Sequence, residues 1–83
     1  MALILNIEVI MNTIIYVRLL NEGTEVFRPV SATRIALDIF KLDNEDSYDS
    51  EDEEWEFLPG SQVCVEERML EGNHVLIATS YSP

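Results

Sequence analysis

Short segments in which apolar and polar residues alternate run through the chain, and residues that favour turns separate them. Alternation with a period of two places every second side chain on the same face, which is the pattern of a half-buried β-strand. Turns are indicated by Asn21 and Gly23, by the Pro59-Gly60 pair that suits a type II turn, and by Gly72. The strands predicted in this way cover residues 14–20, 25–30, 34–42, 54–57, 62–70 and 74–80.

Several short strands without a useful helical period predict an all-β fold. With 83 residues the chain is one domain, and it is too small for a full immunoglobulin-type sandwich. We therefore expect a small, partly open barrel of the SH3-like kind, with five or six antiparallel strands and a long acidic loop. Pro29 has no N–H for a ladder and should lie at an edge or a strand end. The predicted core comprises Val17, Phe27, Leu37, Trp55, Phe57, Val65 and Ile77.

The segment over residues 43–56 concentrates the charge of the chain. It holds nine of the 16 acidic residues and none of the five Lys and Arg residues, in a chain of net charge −11. Like charges repel, so we expect a mobile loop over residues 43–52. The acidic loop as a whole is placed at residues 43–54. Apolar residues make up 47% of the chain, which excludes wholesale disorder. A folded scaffold should therefore hold both ends of this loop.

Residues 1–12 are predicted to extend the domain, which we place at residues 13–83. Apolar side chains fall at alternate positions there, which predicts an extra strand, with a short helix as the competing interpretation. Through residues 2–10, which begin at Ala2 and end at Ile10, this strand is expected to be able to pair with a second copy and make a homodimer.

The sequence predicts a cytoplasmic protein with no membrane partner. The N-terminal segment lacks the basic region of a signal peptide, and no stretch reaches the ~20 apolar residues that span a bilayer. The single cysteine, Cys64, cannot form an internal disulfide, which agrees with a reducing compartment.

The segment YVRLLNEGTEVFRPV, residues 16–30, resembles the opening hairpin of a group of small, largely uncharacterised bacterial β-rich proteins. Trp55-Glu56-Phe57, followed by Pro59-Gly60, is similar to the second half of that group. Phe27 departs from the resemblance, since Trp is expected at that position. The resemblance implies a compact β fold of bacterial or phage source, and it implies no particular activity.

No residue set typical of catalysis stands out, and we predict that the protein is not an enzyme. General acid–base catalysis needs a carboxylate in an apolar site, whereas the acidic run is solvated. The one histidine, His74, lies at a hairpin mouth, and Cys64 has no neighbouring base. Asp43 and Glu45 are similar to the start of a calcium loop, but Tyr48 stands where that loop needs Gly. No metal site and no cofactor are predicted.

The charge instead predicts binding to another protein. A strongly negative chain repels nucleic-acid phosphates and anionic lipids, so the expected partner is a cationic protein and not nucleic acid or a membrane. Tyr48 is expected to be an exposed aromatic anchor, whereas Trp55 is assigned to the core. The candidate partner-binding residues are Asp46, Tyr48, Asp49, Glu51, Asp52, Glu53 and Glu54.

Two functions from different classes follow from these observations. The first is an acidic inhibitor whose carboxylates stand in for phosphates on a nucleic-acid-processing protein. Such an inhibitor is either an immunity protein against a toxin nuclease or a phage protein against a defence enzyme such as a CRISPR effector. The alternative is a non-catalytic structural or regulatory β module that self-associates through its N-terminal strand.

Overall fold

The computed structural model describes residues 13–44 and 48–83 of the chain. Within those residues the regular structure consists of six strands without a helix, which confirms the all-β prediction. They are β1 (Thr13–Leu20), β2 (Val26–Ala36), β3 (Ile39–Leu42), β4 (Glu54–Trp55), β5 (Gln62–Leu70) and β6 (Asn73–Tyr81). The extension predicted at residues 1–12, with its self-association through residues 2–10, lies outside the described residues.

The strands form one sheet that closes on itself. Their order is β2-β3-β5-β6-β1-β4, and β1 also pairs with β2, so five of the six strands make a ring. All neighbours in this ring are antiparallel except β1 and β6, which are parallel with Ile15 opposite Leu76 and Tyr16 opposite Ile77. A ring with an odd number of strands cannot alternate in direction throughout, so one parallel contact is unavoidable. The small, partly open barrel is confirmed, with this one parallel contact in place of an antiparallel one.

Strand β4 brings the acidic segment back to the barrel. It pairs with the end of β1, where Leu19 lies opposite Trp55 and Leu20 opposite Glu54. The strand ends after two residues and is shorter than the predicted 54–57, although Phe57 beyond it is buried. The segment therefore rejoins the fold beside the last residues of β1.

The boundary between β2 and β3 differs from the sequence prediction. The predicted strands 25–30 and 34–42 left residues 31–33 between them, but β2 runs through these residues to Ala36, and the turn lies at Leu37 and Asp38. The register shifts between Arg34 and Ala36, which leaves Ile35 as a β-bulge. Leu37 is 76% exposed, so its assignment to the core is wrong.

The core lies inside the ring, and five of the seven residues predicted for it are buried. Phe27 is the second wrong assignment, because Val30 and Ala32 face inward along β2 and Phe27, at an odd position, faces the other way. Phe40 and Leu42 of β3 are buried in its place. The buried apolar residues are Ile15, Val17, Leu19, Val30, Ala32, Phe40, Leu42, Trp55, Phe57, Val63, Val65, Ile77 and Ala78.

Two turns have the geometry that their residues favour. Ser61 N donates to Leu58 O at 3.2 Å, and Gly60 has a φ of 87°, as position three of a type II turn requires. Glu71 and Gly72, with φ values of 50° and 85°, join β5 to β6 in a two-residue hairpin of the I′ kind. Both turns were predicted from the sequence.

Candidate partner-binding site

Asp43, the first residue of the acidic segment after β3, is anchored to β2 by hydrogen bonds. Asp43 N donates to Ser31 O at 3.0 Å. Ser31 Oγ donates to Asp43 Oδ2 at 2.8 Å, and Thr33 Oγ1 donates to Asp43 Oδ1 at 3.2 Å. Both carboxylate oxygens are therefore occupied, and Asp43 fixes the start of the segment instead of belonging to the mobile loop expected over residues 43–52.

A hydrogen-bonded turn presents the middle of the segment. Asp52 N and Glu53 N both donate to Asp49 O at 3.0 Å, and Glu51 N donates to Asp49 Oδ1 at 2.9 Å. The last of these bonds is the Asx-type contact by which Asp stabilises a turn. The side chains of Asp49, Glu51 and Asp52 are exposed. Three of the predicted partner-binding carboxylates thus stand on one ordered turn.

Tyr48 is not the exposed anchor that the sequence predicted. It is half-buried against the core, and its ring meets that of Trp55 edge-on with 4.9 Å between ring centroids and an interplanar angle of 64°. The turn at Asp49 reverses the chain and lays Tyr48 over Trp55, so that each ring shields the other from water. Tyr48 therefore forms a wall of the site, and its place in the predicted contact set needs this correction.

Glu53 joins the acidic segment to β2. Its Oε1 lies 3.5 Å from Arg28 Nη1 and accepts a hydrogen bond from Trp55 Nε1 at 3.2 Å. The Arg28 guanidinium carbon lies 5.7 Å from the centre of the Trp55 ring, which is cation–π distance. Glu53 is thus held by two residues of the fold and is less free to meet a partner than the prediction assumed.

Two further carboxylates at the end of the segment have partners on or next to β1. Asn21 Nδ2 donates to Glu54 Oε1 at 2.6 Å, and Arg18 Nε donates to Glu56 Oε1 at 3.3 Å. Glu56 N also donates to Arg18 O at 2.9 Å. Pairs this exposed contribute about 0–1 kcal/mol each, so they orient side chains more than they stabilise the fold.

These contacts sort the predicted partner-binding residues into groups. Asp49, Glu51 and Asp52 are exposed on the turn, while Glu53 and Glu54 are bound to residues of the scaffold. Asp46 lies outside the described residues. Sequence reasoning missed Arg28, although a charged residue at an inward position of β2, in phase with Val30, signals that a carboxylate must lie nearby.

A cleft opens where these groups meet. Its volume is about 430 Å³, and it is lined by Arg28, Tyr48, Asp49, Asp52, Glu53 and Trp55. Two of its donors, Arg28 Nε and Tyr48 Oη, are buried and have no hydrogen-bond partner in the part of the chain that the structure describes. The most accessible charged groups of the cleft are therefore the carboxylates of Asp49 and Asp52, because the two donors are buried and Trp55 is 3% exposed.

The other residues considered for chemistry lie apart from this cleft. His74 stands at the start of β6, with its Nδ1 3.8 Å from Glu67 Oε2, and both side chains are largely exposed. Cys64, in β5, is half-buried. Within residues 13–44 and 48–83, no group of three or more His, Cys, Asp or Glu side chains is placed to hold a metal ion.

Comparisons with protein-family models, with curated proteins and with solved structures gave no match to this chain. Among the described residues, no helix is long and apolar enough to cross a membrane.

Proposed function

We propose that the protein is an acidic inhibitor that binds a cationic, nucleic-acid-processing protein and blocks its phosphate-binding surface. The observation that carries this proposal is the turn that presents Asp49, Glu51 and Asp52 to solvent. The turn is tied to the barrel on both sides, by Asp43 at its start and by Trp55 at its end. Carboxylates held in a fixed arrangement can take the place of successive phosphates on a basic surface.

The balance of charge around the turn supports the same role. Arg18 and Arg28, two of the five basic residues, are paired with Glu56 and Glu53 and leave the three presented carboxylates without a scaffold cation among their described contacts. With a net charge of −11, the whole chain attracts cationic proteins from a distance. Clustered charge of this kind raises encounter rates by ~10–10³-fold at low salt.

Two biological roles fit this inhibitor equally. One is an immunity protein that neutralises a toxin nuclease, and the other is a phage protein that disables a defence nuclease such as a CRISPR effector. Both roles require the same acidic surface and a catalytically inert scaffold. The site therefore supports the same class of partner in both cases. The identity of the inhibited nuclease would distinguish one role from the other.

The test compares two triple variants that change the net charge equally. The site variant carries Asp49→Asn, Glu51→Gln and Asp52→Asn, and the Asn at position 49 keeps an oxygen that can still accept from Glu51 N. The control carries Glu66→Gln, Glu67→Gln and Glu71→Gln, three exposed acids of the β5–β6 hairpin.

Inhibition of a panel of basic toxin and defence nucleases is titrated at several salt concentrations. The site variant should bind an inhibited nuclease about 10–100-fold more weakly than the control, because close charge pairs across interfaces contribute more than distant ones. Equal losses in the two variants, or inhibition of none of the nucleases, would refute the proposal.

A further inference from the structure

We propose that the groove between the β1–β2 and β5–β6 hairpins binds a segment of a partner protein in which large apolar residues lie between basic ones. The groove has a volume of about 460 Å³, and it shares no lining residue with the cleft beside Trp55. This inference therefore goes beyond the proposed function, which depends on the acidic turn. The apolar lining of the groove consists of Tyr16, Val26, Phe27, Leu70 and Val75.

The groove lies on the outer face of the sheet. Ile15 and Val17 of β1 are buried in the core, so Tyr16 between them faces outward. The residues directly opposite Tyr16 are Pro29 of β2 and Ile77 of β6, and opposite residues share a face of the sheet. A face that meets only water carries mainly polar side chains. Apolar residues at outward positions of three neighbouring strands therefore mark this face as a binding surface.

The apolar side chains of the groove are within reach of a ligand. Tyr16, Phe27, Leu70 and Val75 are each half-buried, so part of each side chain is open to solvent. Ile14, two positions before Tyr16 on the same face, is 50% exposed. Protein interfaces concentrate aromatic side chains at their centres, and Tyr16 and Phe27 provide two of them here.

The charged lining of the groove is acidic. Glu25 and Glu71 are both exposed, and they come from different hairpins. Within residues 13–44 and 48–83, no Lys or Arg lines the same volume. Arg18 and Arg68 line the adjoining part of the face, but each is paired with a glutamate, at 3.3 and 3.6 Å. A segment with basic residues on both sides of its apolar residues complements this lining in both charge and polarity.

A second copy of the chain fits the groove less well than a basic partner does. Two copies that met through their grooves would bring Glu25 and Glu71 of one chain against the same residues of the other. Each chain also carries a net charge of −11. Like charges at an interface oppose association, so the charge favours a cationic partner over a homodimer.

The test titrates the blocked peptide acetyl-Lys-Leu-Phe-Lys-amide into the full chain and follows the backbone amide signals by NMR. Acetyl-Lys-Ser-Ser-Lys-amide keeps the charge and removes the apolar side chains, whereas acetyl-Glu-Leu-Phe-Glu-amide keeps the apolar side chains and reverses the charge. The first peptide should shift the signals of Tyr16, Phe27 and Val75. It should also bind about tenfold more tightly than either matched peptide.

Two variants separate the apolar and acidic parts of the groove. Phe27→Thr removes an aromatic ring while it keeps a residue that favours strands, and it should weaken binding of the first peptide about fivefold to tenfold. The double variant Glu25→Gln, Glu71→Gln should weaken it about threefold at low salt and less at high salt. Because Glu25 and Glu71 are exposed, this variant keeps the test decisive if Phe27→Thr fails to fold.

Each variant has a matched control outside the groove. Met69→Thr removes an apolar side chain of β5 that is 58% exposed. The double variant Asp38→Asn, Glu67→Gln changes the net charge as much as the acidic variant does, at two exposed positions. Both controls should leave peptide binding unaltered.

Equal binding of the three peptides would overturn the inference, and so would equal losses in the groove variants and their controls. Sedimentation identifies a second copy as the occupant if the native chain is a dimer that Phe27→Thr converts to a monomer, and the inference then falls. Peptide binding that appears only after deletion of residues 1–12 would assign the groove to that segment of the chain and would also overturn it.

Discussion

Two leucines five positions apart in the sequence provide a sharp test of the fold. Leu42 of β3 is fully buried, whereas Leu37 in the preceding turn is 76% exposed. Leu→Ala removes the equivalent of three methylene groups, which is about 2.4 kcal/mol of transfer free energy at ~0.8 kcal/mol each. At position 42 a cavity term is added, for a total of about 3–4 kcal/mol. At position 37 only about a quarter of the side chain is covered, so the loss is about 0.6 kcal/mol.

Urea unfolding of the two variants, followed by the fluorescence of the buried Trp55, measures this difference. For an m-value of about 1–1.5 kcal/mol/M, Leu42→Ala should lower the midpoint by about 2–4 M and Leu37→Ala by no more than about 0.6 M. If Leu42→Ala is too unstable to fold, Leu42→Val, at about 1 kcal/mol, replaces it. Equal midpoints for the two alanine variants would show that the assigned turn and register of β2 and β3 are incorrect.

Two further predictions concern a turn and an anchor. Glu71→Asn should raise the free energy of unfolding by about 0.5–1 kcal/mol, as measured by chemical denaturation. Asn tolerates the positive φ at position 71 better than Glu does, and it forms an Asn-Gly turn with Gly72. A loss of stability would contradict the turn geometry. Asp43→Ala should lower the melting temperature by several degrees. The change leaves the hydroxyls of Ser31 and Thr33 without their acceptor, which lowers the free energy of unfolding by about 1–3 kcal/mol. An unchanged melting temperature would show that Asp43 does not anchor the segment.

The sequence predicts a strand well where alternation ends at a visible turn. Strand β5, at Gln62–Leu70, was predicted with the correct bounds because Pro59-Gly60 precedes it and Glu71-Gly72 follows it. The β2–β3 turn contains neither Gly nor Pro, and the alternation of apolar residues continues through Leu37 as if no turn were present. Nothing local marks that reversal, which is set by the burial of Phe40 and Leu42.

The site was predictable in composition but not in arrangement. The acidic segment stands out in the sequence, and Trp55 was correctly assigned to the core. Which carboxylates remain free depends on Arg18, Asn21 and Arg28, which reach the segment only through the β1–β4 and β1–β2 pairings. Such contacts join residues more than 20 positions apart, and no pattern within the segment encodes them.

The parallel contact between β1 and β6 has a consequence for the order in which the barrel can form. The β1–β2, β2–β3 and β5–β6 pairings join neighbouring strands and need only short loops to close, whereas β1 and β6 meet with most of the chain between them. Closing so long a loop costs conformational entropy before the contacts between β1 and β6 can stabilise it. The local hairpins should therefore form faster than the β1–β6 pairing. We therefore expect the β1–β6 pairing to form last during folding. Ile15 and Leu76 lie opposite each other in this pairing, which closes the ring.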